Sequence, residues 1–121
     1  MVEQVKVPQA YLDIINQIFE IEKKIAVLQE NNSIQRNINK LKDILENDLS
    51  STSGEAAGFV YHNPLGESYN ETRTDCEASI AGISTDNLTI TEVIKPIIRY
   101  KSGGLNKLVQ KGIVIAESKN N

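Results

Sequence analysis

His62, Asp75 and Cys76 are the residue types from which a thiol nucleophile and its base are made. A cysteine acts in that way when a helix N-terminus or a neighbouring cation lowers its pKa. Cys76, however, falls in the run Arg73 to Ile80, whose strict alternation predicts a half-buried strand with Thr74, Cys76, Ala78 and Ile80 on its inner face. A thiol there behaves as a small apolar group, so a packing cysteine is expected, with His62 a surface or interface residue. One Cys and one His leave nitrogen and sulfur ligands at two, too few for a structural metal. Lys101-Ser102-Gly103-Gly104 has the composition of a phosphate loop but not its spacing, and strand patterns on both sides predict a hairpin tip instead. Glu67, Glu71, Asp75 and Glu77 supply carboxylates, but on an exposed strand face without a pocket they form a solvated surface and not an acid–base pair. No catalytic residue and no cofactor are assigned, and a non-enzymatic role is expected.

The elements around these residues divide by texture. From Pro8 to Leu49, Ile14, Ile18, Ile21, Ile25 and Leu28, then Ile34, Ile38, Leu41 and Leu45, recur in steps of three and four, the stripe of an amphipathic helix. Pro8 suits the first helical position, where its missing N–H costs nothing. The first set fits the a and d positions of a heptad, but the six-residue step from Leu28 to Ile34 breaks the frame at Asn31-Asn32-Ser33. Either one long helix carries a stammer there, or two helices fold back as a hairpin. Continuity is favoured, since neither Gly nor Pro interrupts the run. In both cases the stripe needs a partner helix, so these nine residues are assigned to a homodimer interface.

Ser50-Ser51-Thr52-Ser53-Gly54 ends the helical pattern. Strands are expected at Ala57 to His62, at Arg73 to Ile80, and at Leu88 to Ile94 with Leu88, Ile90 and Ile94 inward. Further strands are expected at Ile97 to Lys101, Leu105 to Val109 and Ile113 to Ala116. Pro96, with no N–H to give, must sit at an edge or bulge. The class is α+β: a helical dimerisation segment over 1–50, a linker over 51–56 and a small antiparallel β domain over 57–121.

The chain has 121 residues, 40% of them apolar and only 5% aromatic, which gives thin material for a core and favours help from a second chain. The net charge of −3 is unevenly spread: −2 over residues 1–50, −6 over 51–92 and +5 over 93–121. Acidic and basic regions are therefore expected to pair across a sheet or to face a partner. Arg99, Lys101, Lys107 and Lys111 are assigned to binding of a protein partner. With little aromatic interleaving and an acidic remainder, nucleic acid is not the expected partner. Met1 to Lys6 is too polar for a secretory signal and no apolar run approaches the roughly 20 residues of a membrane span, so a cytoplasmic protein is expected.

Thr91-Glu92-Val93-Ile94-Lys95-Pro96, a glycine-bearing turn, and Leu108-Val109-Gln110-Lys111-Gly112-Ile113-Val114-Ile115 together resemble the end of the GrpE family, the nucleotide-exchange factors of DnaK-type chaperones. Val93, Ile94 and Lys95 match the outgoing strand, and Lys111, Gly112, Val114 and Ile115 the returning one. The resemblance implies dimerising helices ahead of a β domain that docks on a chaperone ATPase domain and opens it, with no catalytic residue. Ile97 stands where the family has glycine, and Tyr69-Asn70-Glu71-Thr72 lacks the family's Phe-Asp-Pro segment. Two functions are therefore carried forward: a self-associating scaffold or regulatory adaptor acting through its β domain, and a GrpE-like co-chaperone.

Overall fold

The structure is a computed structural model and describes residues 7–28, 33–49 and 57–119. Two helices, α1 (Gln9–Leu28) and α2 (Ile34–Asn47), are followed by seven strands. These are β1 (Ala57–His62), β2 (Ser68–Tyr69), β3 (Cys76–Ala81), β4 (Leu88–Lys95), β5 (Ile97–Ser102), β6 (Leu105–Gln110) and β7 (Gly112–Ser118). The α+β class is as expected, and no described helix is long and apolar enough to cross a membrane. The linker assigned to 51–56 lies outside the described residues.

The single helix expected over Pro8 to Leu49 is replaced by a hairpin. Glu22 on α1 lies 3.3 Å from both Gln35 and Lys42 on α2, a separation that a straight helix, rising 1.5 Å per residue, cannot close. The break in heptad frame falls between the two helices. Folding back also changes the stripe, because each helix now buries part of it against its own chain.

Two compact units divide the chain, one of residues 1–60 with 99–109, the other of 61–98 with 110–121. The first combines the helices with most of a three-stranded sheet in the order β1-β5-β6. Leu12, Ile15, Phe19, Ile38, Ala57 and Phe59 are buried in it. Gly58 is required there: a Cβ at this position would collide with the backbone oxygens of Leu45 and Glu46, so only a residue without a side chain lets β1 pass the end of α2. The hairpin tip expected there is a two-residue turn: β5 and β6 are joined by Gly103 and Gly104, both at positive φ (50° and 85°) as such a turn demands.

The second unit holds a four-stranded sheet in the order β2-β4-β7-β3. It is not purely antiparallel, as the sequence suggested, because β3 runs parallel to β7, with Cys76 beside Gly112 and Ile80 beside Ala116. Parallel neighbours need a connection of a dozen residues or more, and β4 to β6 supply it.

β4 corrects a second expectation. Ile90 pairs with Ala116 but Glu92 pairs with Ile115, and Val93 pairs with Val114 but Lys95 with Ile113. Each shift inserts one extra β4 residue, and an extra residue reverses which side chains face inward. Val93 is therefore buried and Ile94 exposed, the reverse of simple alternation. Pro96 follows the second shift, buried, with its carbonyl accepting a hydrogen bond from Gln110 Nε2 at 2.9 Å.

Candidate interaction surfaces

The residues with chemical potential meet in the second unit. Pro64-Leu65-Gly66 makes a turn closed by Glu67 N–H donating to the Pro64 carbonyl (3.0 Å), with Gly66 at φ 85°. That turn brings Glu67 back to His62, whose Nε2 lies 2.5 Å from Oε2. A second turn, Asn70 to Arg73, is tied by Thr72 N–H donating to Asn70 Oδ1 (2.9 Å). It aims Arg73 at three acceptors: Asp75 Oδ1 (2.6 Å), Glu67 Oε1 (2.7 Å) and the Ser68 carbonyl (3.0 Å). Two of the four carboxylates read as a solvated face, Glu67 and Asp75, are thus partners of one guanidinium. A third, Glu77, lies 3.8 Å from Lys111, joining the acidic middle of the chain to its basic end beside the β3–β7 pair.

The electrostatics follow from this fork. Burial pushes the Glu67 carboxyl up, but hydrogen bonds from Arg73 and His62 outweigh it and hold the group below its ordinary value. The hydrogen bond from Arg73 likewise lowers Asp75, and Arg73 itself is held firmly protonated, chiefly by Asp75. Cys76 is buried, and burial pushes its thiol up, which keeps it protonated. His62 bonds Glu67 and not the thiol. What the cluster can do is brace two turns against the sheet; its arrangement does not prepare a nucleophile.

The nine residues assigned to self-association divide. Ile18, Ile25 and Ile38 are buried within the chain itself, and Leu45 is half-buried. Ile14 (55% exposed), Ile21 (45%) and Leu28 (56%) form a column along α1, seven residues apart. Ile34 (46%) and Leu41 (41%) do the same on α2. On a helix of 3.6 residues per turn, residues seven apart lie nearly in line. The column on α1 flanks the stripe that the fold has already used.

Of the four cations assigned to a partner, Arg99, Lys101 and Lys107 belong to the first unit, on β5 and β6, and Lys111 belongs to the second. Lys101 Nζ lies 3.4 Å from Glu46 Oε2 and Lys111 lies near Glu77, so both already have acidic neighbours within their own units. Sequence reasoning passed over two features. One is Ile83, 98% exposed on the loop between β3 and β4. The other is a meeting of aromatic rings, Tyr11 with Phe59 and Phe59 with Tyr100. No periodicity signals either, since the loop has none and the rings come from three distant segments. Comparison with known protein families, with curated proteins and with solved structures gave no match in any of the three.

Proposed function

We propose that this chain is a non-enzymatic, self-associating scaffold or regulatory adaptor, whose helical hairpin pairs with a second copy while its strands engage a protein partner. The observation that carries the reading is the heptad-spaced column Ile14, Ile21 and Leu28, still about half exposed after the hairpin has buried Ile18, Ile25 and Ile38. Apolar residues aligned in this way gain by meeting a like surface, each fully buried aliphatic side chain contributing about 1.5–3 kcal/mol. Two hairpins meeting along these columns would form a four-helix arrangement. Sedimentation of the purified protein at micromolar concentration tests this: the expected particle has twice the 13.4 kDa chain mass, and a clean monomer overturns the reading.

A second reading, a GrpE-like co-chaperone of a DnaK-type ATPase, is favoured by one observation. Within the two segments that carry the resemblance, Val93 on β4 lies opposite Val114 on β7. Its test is nucleotide release from a DnaK-type chaperone with and without this protein. An unchanged release rate removes this reading and leaves the first standing. If release is accelerated, Lys107→Glu combined with Lys111→Glu should reduce the effect and its dependence on salt, because rim charges act mainly on encounter.

A further inference from the structure

In the unit containing the helices, a cavity of about 580 Å³ opens between the start of α1, the end of α2 and strands β1 and β5. Three aromatic rings line it in sequence. Tyr11 meets Phe59 edge-on at 6.0 Å between centroids, and Phe59 meets Tyr100 at 5.2 Å and 53°. Phe59 is buried beneath while Tyr11 stays half exposed, so the rings form one wall that reaches solvent. Leu45 and Leu49 add aliphatic surface. Among the described residues that line the cavity, Asp48 is the one that is charged.

Asp48 is also oddly placed. It caps the C-terminus of α2, its N–H donating to the Ile44 carbonyl at 3.0 Å, and the last turn of that helix carries no basic residue. A helix C-terminus bears partial negative charge and normally favours a cation. Here a carboxylate adds to that charge instead of offsetting it. Glu46 nearby is paired with Lys101, but Asp48 has no ion pair among the described residues. Aromatic faces also attract cations through their quadrupoles. Helix end, carboxylate and aromatic rings thus favour the same charge sign around one cavity, and the apolar lining suits a long stem.

We propose that this cavity is a docking site for a lysine or arginine side chain of a protein partner, its aliphatic stem against Leu45 and Leu49 and its cationic head beside Asp48 and the rings of Tyr11 and Tyr100. The cavity borders the α1 column, since Ile14 also lines it, whereas Asp48, Phe59 and Tyr100, on which the cation argument rests, lie outside the exposed columns.

The test titrates the full chain, at fixed ionic strength, with n-butylammonium chloride, with N-acetyl-arginine-methylamide and with 1-butanol as the neutral counterpart, following the tyrosine ring resonances by NMR. Saturable shifts of Tyr11 and Tyr100 are expected with the two cations, at least fivefold weaker with butanol. Asp48→Asn should weaken cation binding about fivefold and leave butanol unaffected, whereas Glu46→Gln should change neither. Asp48 is exposed and its replacement isosteric, and preserved dispersion of the amide spectrum confirms the fold in the same experiment. Equal binding of butanol and butylammonium overturns the proposal, as does an Asp48→Asn variant that binds the cations like the parent. Tighter binding of tetramethylammonium than of either cation also overturns it, in favour of a small quaternary ligand.

Discussion

Arg73 shows how much one side chain can organise. Its guanidinium joins two turns that neighbour each other in sequence, donating to Glu67, Asp75 and the Ser68 carbonyl from a half-buried position. Replacing it by Gln takes the cation away from two half-buried carboxylates, and a loss of about 2 kcal/mol in unfolding free energy is expected from urea titration. The pH dependence has a definite sign. Glu67 and Asp75 are both held below their ordinary values in the folded chain, so their contribution is complete above the ordinary carboxylate range of about 4 and is lost as pH falls through the lower, native values. Stability measured between neutral pH and pH 3 should therefore fall more steeply for the parent than for Arg73→Gln. Cys76 gives an independent check. A buried, protonated thiol reacts with Ellman's reagent only when the sheet opens, so labelling in native buffer should be at least a hundredfold slower than in denaturant. Rapid labelling of the folded chain would reopen the possibility of thiol chemistry.

At the scale of elements, Gly58 is the sharpest constraint. Its missing Cβ is where β1 and the last turn of α2 touch, and the opposing atoms are backbone oxygens that cannot rotate away. Gly58→Ala should cost about 3 kcal/mol or prevent folding, read from the thermal transition, whereas Gly66→Ala, which meets nothing but must hold a positive φ, should cost less. Local chemistry of this kind was legible in part. The strand Ala57–His62, the Gly103-Gly104 turn and the inward Cys76 follow from a short apolar run, from turn residues and from alternation respectively. The break between Leu28 and Ile34 was visible too, but its outcome depended on tertiary contacts such as Glu22 with Lys42, which no local pattern encodes. The reversal at Val93 and Ile94 was hidden for a similar reason. A bulge arises from the pairing of β4 with β7, a strand distant in sequence, and its mark on the sequence is no more than the misplaced Glu92. The cluster around Arg73 was half legible: its acids were noted, but the cation that gathers them depends on two turns closing together.

For the whole molecule, the consequence of the hairpin is that the apolar stripe of the helices serves two purposes, and mutations should separate them. Ile25 lies in the chain's own core, whereas Ile21, only four residues earlier, is close to half exposed. A charge at Ile25 is buried without a partner whatever the oligomeric state, so Ile25→Asp should unfold the chain, with loss of helical circular dichroism. At Ile21 the outcome depends on what the column meets. If it faces only solvent, Ile21→Asp should leave fold and mass unchanged, since substitutions at exposed sites fall within about 0.5 kcal/mol. If it faces a second copy, two-fold symmetry brings the same column from each chain to the interface, and each carboxylate loses its water there. The expected result is a folded monomer at concentrations where the parent sediments as a dimer, with a helical signal close to that of the parent. A variant that still sediments as a dimer would exclude the α1 column as the interface.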